Sequence, residues 1–169
     1  THILQAVKDY DIISFDIFDT LIFRPFSAPT DLFDYLAEQI GILDFKSVRI
    51  AQEWKARQDK FAVSGSYEVT LEEIWNRIEY ETGYPARKGR NLEEELEQRF
   101  CYANPVMHTV FKELQRRKKT IIITSDMYLS EAFLEKLLAQ NGYSGIQKLY
   151  ISSEYNAGKS DGTIYEYVK

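Results

Sequence analysis

Two aspartates three residues apart stand where an apolar stretch ends, in the run Ile12-Ile13-Ser14-Phe15-Asp16-Ile17-Phe18-Asp19-Thr20-Leu21. Carboxylates are rarely placed at the margin of a core unless a partner, a metal or a reaction compensates them. Two more polar groups occupy comparable places. Thr124-Ser125-Asp126 closes the β-branched run Thr120-Ile121-Ile122-Ile123, and Lys159 lies in Gly158-Lys159-Ser160-Asp161-Gly162 after a third short apolar run. A carboxylate, a hydroxyl and an ammonium converging from three segments suit a phosphoryl group. The carboxylate attacks phosphorus or holds a metal, while the other two bind the non-bridging oxygens.

For these groups to meet, the chain must supply strands that end on one edge. Residues 11–18 are rich in Ile and Phe and too short for a helix, so they read as a buried parallel strand; 120–124 and 148–152 read as two more. Helical patterns separate them. Asn104-Pro105 caps and opens a helix carrying Met107, Val110, Phe111 and Leu114. Ser130 opens another through Phe133, Leu134, Leu137 and Leu138, stopped by Asn141-Gly142, and a further start follows Gly162. This alternation predicts an α/β sheet with right-handed crossovers, whose ligands bind beyond the carboxyl ends of the strands.

Residues 30–100 read as helical throughout. Thr30 caps a helix with Leu32, Phe33, Leu36 and Ile40, stopped by Gly41; Ser47 caps the next, which places Ile50, Trp54 and Phe61 on one face. Thr70-Leu71-Glu72-Glu73 is a capping box ahead of Ile74, Trp75 and Ile78. Asn91 opens an acidic helix with Leu92, Leu96 and Phe100. Trp54 and Trp75 are expected in the core of this block, and Arg24, Arg49 and Arg57 in surface ion pairs.

The 169 residues carry a net charge of -5, which argues against nucleic-acid binding. The densest basic stretch, Arg116-Arg117-Lys118-Lys119, closes a helical pattern, where cations complement the helix dipole. The single cysteine, Cys101, excludes an internal disulfide and fits a reducing, cytoplasmic setting. It reads as a buried thiol, and His108 as structural, so zinc has no ligand set. No apolar run reaches membrane-spanning length. Gly158-Lys159-Ser160 lacks the glycine of a phosphate-binding P-loop where Ser153 stands. With no initiator methionine at Thr1 and a helical pattern still running at Lys169, the chain reads as a piece of a longer polypeptide.

These motifs together resemble the haloacid dehalogenase-like (HAD) superfamily. Phe15-Asp16-Ile17-Phe18-Asp19-Thr20-Leu21 matches its first motif, Ile122-Ile123-Thr124-Ser125-Asp126 its second and Lys159 its third. The implied fold is α/β, a HAD-like Rossmannoid parallel sheet, truncated, with an inserted all-helical cap. Residues 1–26 and 101–169 would form the core and 27–100 the cap. The resemblance implies Asp16 as nucleophile forming an aspartyl-phosphate, and Ser125 (Thr124 the fallback) and Lys159 on the phosphoryl oxygens. It also implies Thr20 ordering the turn and magnesium held by the Asp16 carboxylate and the Phe18 backbone carbonyl. More narrowly, Ser-Phe-Asp-Ile-Phe-Asp-Thr-Leu with Ser-Asp-Met-Tyr-Leu-Ser is similar to bacterial predicted HAD hydrolases found with glycosyltransferases of surface-polysaccharide synthesis. The expectation is a hydrolase or phosphotransferase acting on a phosphorylated sugar or nucleotide-sugar metabolite. The rival is a catalytically degenerate HAD module that binds a ligand or scaffolds a glycosyltransferase.

Two departures qualify that expectation. The family's phosphatases carry a second aspartate, which transfers a proton, two residues after the nucleophile. Here Phe18 stands there, and general acid–base help is worth about 10²- to 10⁴-fold. Asp19 lies one residue further on, and whether it replaces the missing acid stays open, as does Asp126 between helix entry and substrate contact. The remaining metal ligands are expected beyond Lys169, so this stretch alone should be inactive, bind magnesium weakly or not at all, and leave one edge of its first strand unpaired, a route to self-association.

Overall fold

The computed structural model describes residues 2–168. In chain order the elements are α1 (His2–Ala6), β1 (Ile12–Phe15), β2 (Ile22–Phe23), α2 (Leu32–Ile40), α3 (Phe45–Ser64), α4 (Leu71–Thr82) and α5 (Ala86–Phe100). There follow β3 (Tyr102–Ala103), α6 (Pro105–Arg116), β4 (Thr120–Ser125), α7 (Glu131–Gln140), β5 (Lys148–Ile151) and α8 (Ser152–Tyr155). The sheet is parallel, in the order β1-β4-β5, with Ile12 opposite Thr120 and Ile122 opposite Lys148. β2 and β3 form a separate antiparallel pair. The helices α2 to α5 therefore leave and rejoin the α/β part through one short ribbon.

The burial patterns explain the sheet. Ile121 to Ser125 of the central strand β4 are all buried, as a strand covered on both faces requires. In β1, Ile13 and Phe15 are buried while Ile12 and Ser14 are exposed. Asn104 Oδ1 accepts from the N–H groups of Val106 and Met107 to open α6, and the Ser130 hydroxyl accepts from Phe133 N–H to open α7. One apolar cluster runs from Ile13, Phe15 and Ile123 through Phe111 and Leu134 to Leu36, Trp75 and Ile78. Among the described residues no helix is long and apolar enough to cross a membrane.

The first strand stops at Phe15, earlier than its composition predicts. The Ile17 carbonyl accepts from the N–H groups of Leu21 (2.8 Å) and Ile22 (3.0 Å), so the chain coils into a turn. Asp19 sits in that turn with φ at +57°, its N–H bonded to the Ile22 carbonyl at 2.9 Å. Aspartate is one of the few residues that tolerate this left-handed region. The second aspartate of the opening motif thus has a conformational reason to be there.

The helical segment departs from expectation in α3. This helix starts at Phe45 rather than after Ser47, and it buries Phe45, Arg49, Gln52 and Ala56. Ile50, Trp54 and Phe61 are 42%, 60% and 45% exposed. Trp54 is not in the core. Trp75 is, fully buried and stacked on Phe45 with ring centroids 5.7 Å apart.

What fills the inward face of α3 is an ion pair that the sequence reading placed on the surface. Arg49 is wholly buried and donates through Nε and Nη2 to Glu93 at 3.0 and 2.7 Å, and through Nη1 to Glu53 at 2.8 Å. The Trp75 indole N–H donates to the same Glu93 carboxylate at 2.8 Å. Burial pulls the Arg49 pKa down, but the Glu93 charge outweighs it and holds the guanidinium above its ordinary value. At Gly89 on α5 a Cβ would collide with the Trp75 ring, so only glycine lets this helix come so close. The Thr70–Glu73 capping box forms as read, with Glu73 N–H on the Thr70 hydroxyl and Thr70 N–H on the Glu73 carboxylate.

Candidate active site

Asp16 is the first residue beyond β1. Parallel pairing sets Phe15 against Ile123, which brings the ends of β1 and β4 side by side. The Ser125 hydroxyl donates to Asp16 Oδ1 at 2.8 Å, and the N–H of Ile17 donates to the same oxygen at 2.8 Å. Lys159 Nζ donates to Asp16 Oδ2 at 2.8 Å. The side chains of Asp16 and Lys159 are 40% and 26% exposed, so a ligand can reach the pair. Three segments far apart in sequence thus place a carboxylate, a hydroxyl and an ammonium within direct hydrogen-bonding distance.

Each partner has its own support. The loop carrying Lys159 is fastened by Asp126, whose two carboxylate oxygens accept from the Lys159 backbone N–H at 2.9 and 3.2 Å. Asp126 is therefore neither a helix-entry cap nor a free carboxylate. The Thr163 hydroxyl accepts from the N–H of Gly158 in the same loop. Thr124 faces away from Asp16: its hydroxyl shares a 2.8 Å hydrogen bond with that of Ser14. Of the two hydroxyls considered, Ser125 is the one in contact with Asp16. Thr20 contributes its backbone, its carbonyl accepting from Asn104 Nδ2 at 2.9 Å, while the Tyr143 hydroxyl donates to the Leu21 carbonyl at 2.6 Å. Asn104 and Tyr143 brace the turn after Asp16. Sequence marked the first only as a helix cap and gave no sign of the second.

Two residues past Asp16, the Phe18 ring is covered by the guanidinium of Arg24, 3.9 Å from its centroid. Arg24 is 10% exposed and forms a two-pronged pair with the buried Glu97 at 2.9 and 2.6 Å, rather than the surface pair its position implied. Burial works against this charge, yet the Glu97 contact outweighs it and raises the Arg24 pKa. Cys101 Sγ donates to Glu97 at 3.3 Å, and burial first, then the Glu97 charge, push its thiol pKa up. The place where a proton donor was looked for holds an aromatic ring under a fixed cation.

The motifs imply a magnesium ion at these donors. Asp16 offers one carboxylate and Phe18 one backbone carbonyl. Among the described residues no three His, Cys, Asp or Glu side chains gather as a metal site requires. Both Asp16 oxygens already accept hydrogen bonds from neighbours. Such a donor set does not fit a magnesium site by itself.

Comparisons with known proteins bear on the fold. No family model matches the sequence, and no curated protein matches it. Solved structures do. The L-2-haloacid dehalogenase of Xanthobacter autotrophicus, with chloropropionic acid covalently bound, superposes over 94% of this chain with a TM-score of 0.58 at 12% identity. This chain spans 63% of the length of that protein. The HAD-hydrolase YfnB of Bacillus subtilis, bound to magnesium, gives a TM-score of 0.60 at 17% identity over 94% of this chain and 72% of its own. The L-2-haloacid dehalogenase RSc1362 gives 0.57 at 15% identity over 92% and 69%. The fold is that of the HAD-like hydrolases.

Proposed function

We propose that the chain carries the nucleophilic half of a HAD-like hydrolase or phosphotransferase, with Asp16 attacking a small phosphorylated metabolite of the sugar or nucleotide-sugar class. The observation that carries this reading is the Asp16 carboxylate held between the Ser125 hydroxyl and the Lys159 ammonium, each at 2.8 Å. A phosphoryl group entering here takes over both donors. An Asp16 oxygen bonds to phosphorus, the bond to the leaving group breaks, and charge growing on the phosphoryl oxygens is met by Lys159 and Ser125. Water then attacks phosphorus, freeing phosphate and restoring the carboxylate. Phe18 cannot donate a proton, so leaving groups that depart as anions are favoured. Residues 27–100 would serve as a cap over the site.

A second reading has one observation of its own. One structural neighbour has chloropropionic acid covalently bound, and Phe18 leaves Asp16 without a neighbouring acid. Attack by Asp16 on carbon, expelling halide, needs none.

The test is phosphate release from a panel of phosphorylated sugars and nucleotide sugars, with magnesium present, by the polypeptide extended past Lys169. Asp16→Asn should reduce release to background, and Lys159→Met should lower it by about 10²- to 10³-fold, as for one charge-stabilising donor. Halide release from 2-haloacids without phosphate release would select the second reading. Release that survives Asp16→Asn would end both.

A further inference from the structure

We propose that the Tyr128 hydroxyl is the hydrogen-bond donor to the departing oxygen of the substrate, doing part of the work of the acid that Phe18 replaces. This inference rests on the reading above, in which Asp16 attacks phosphorus. Tyr128 lies three residues past Ser125, in the loop from β4 to α7. That loop is fixed from two sides. The Met127 N–H donates to the buried Ser152 hydroxyl at 3.0 Å, and the Leu71 N–H of α4 donates to the Tyr128 carbonyl at 2.7 Å. The helical segment is thus tied to the loop that brings Ser125 to Asp16.

The ring has a packing reason to be there, and the hydroxyl does not. The Arg49 guanidinium lies 5.1 Å from the ring centroid, a contact that phenylalanine would make equally well. The hydroxyl makes no hydrogen bond among the described residues, yet it is not sealed in: the buried side-chain atoms without a partner are those of Arg77 and Ser153. Tyr128 also borders a cleft of about 440 Å³, with Leu71 and Arg90 on one side and Ser130 on the other. A half-buried hydroxyl with no partner, on a residue that borders a cleft, is a group free to bind a ligand.

Its neighbours place it over the site. Glu93 and Glu97 stand one helical turn apart on α5, the first held by Arg49 and the second by Arg24. Tyr128 lies within reach of both pairs: Arg49, Glu93 and Glu97 act on its hydroxyl, and it acts in turn on Arg24. Arg24 is the cation that covers Phe18. The phenol therefore stands near the position of the missing acid, on the side of the helical segment. Burial first, then the Glu93 charge, push its pKa well above the ordinary 10, so it remains a neutral donor. Such a group keeps its proton and stabilises a leaving anion. An Asp16 oxygen bonds to phosphorus, and the bond from phosphorus to the leaving oxygen breaks with its electron pair on that oxygen. The phenol hydrogen-bonds the anion, which takes a proton from water on release. Alkoxides need this help most, so the donor fits sugar monophosphates better than esters of acidic leaving groups.

The test is Tyr128→Phe in the polypeptide extended past Lys169, with magnesium, on a hexose monophosphate and on para-nitrophenyl phosphate. The expected result is a fall in kcat of about 10²-fold on the hexose phosphate and of less than about twofold on the nitrophenyl ester, whose anion needs no donor. KM for both and the urea midpoint should be unchanged, because the ring and its Arg49 contact remain. An equal loss on both substrates gives Tyr128 a structural role and overturns the proposal, as does no loss on either. Asp16→Asn separates this inference from the one it rests on. Release that Asp16→Asn abolishes but Tyr128→Phe leaves alone strikes the donor only. Release that survives Asp16→Asn, or none from the unaltered polypeptide, strikes both.

Discussion

Replacing Glu93 by glutamine should destabilise this protein far more than a change of one atom suggests. The carboxylate is completely buried and accepts three hydrogen bonds, two from Arg49 and one from the Trp75 indole. Glutamine keeps the shape, removes the charge that compensates a buried guanidinium, and turns an NH₂ toward one of the donors. Arg49 retains Glu53, but that partner lies at the surface side of the pair. Removing one member of a buried pair typically costs about 3–5 kcal/mol. For a chain of this size each kcal/mol lowers Tm by roughly 2–4 °C, so a fall of about 6–20 °C is expected. Urea unfolding followed through Trp75 measures it directly. The paired replacement Arg49→Met/Glu93→Leu should recover only part of the loss, because it removes both buried charges but leaves the Trp75 indole N–H without its acceptor. A loss below about 1 kcal/mol for Glu93→Gln, at an unchanged denaturant slope, would refute the argument that this pair pins α3 to α5.

Three further outcomes follow from the same geometry. Burial raises the Glu53 pKa, but Arg49 and Arg57 outweigh it and hold the group below its ordinary 4.5. Its stabilisation is therefore complete above that value and is lost as pH falls through the folded-state pKa; urea midpoints should drop in this acid range, and Glu53→Gln should flatten the profile. Cys101, buried and with its thiol pKa pushed up, should react with a disulfide reagent only as fast as the protein unfolds; fast labelling of the native chain would contradict the Glu97 contact. Titrating magnesium into the chain of 169 residues should give no saturable heat, and a saturable isotherm would mean that donors other than Asp16 and the Phe18 carbonyl complete a site.

The features legible in the sequence were those with a local signature. Short β-branched runs became β1, β4 and β5, the capping box at Thr70 formed as written, and Asp16, Ser125 and Lys159 met because parallel strands bring their ends to one edge. The features that were not legible depend on which neighbour an element finds. The apolar spacing of Ile50, Trp54 and Phe61 announced a face of α3, but a period cannot say whether that face meets a core. The opposite face went inward because Arg49 finds Glu93, 44 residues away, and Trp75 shares the same carboxylate. Asp19 and Phe18 show the same limit at the site. Spacing exposed the missing acid, while only the turn geometry accounts for Asp19 and only the Arg24–Glu97 pair for what covers Phe18.

The central claim is that the Asp16 carboxylate forms the covalent bond. The direct measurement is rapid acid quenching of the extended polypeptide during turnover of a phosphorylated substrate, followed by peptide mass analysis. The account predicts a phosphoryl group on the peptide containing Asp16, absent from Asp16→Asn. Turnover with that peptide unmodified, or with the group on any other residue, would contradict it.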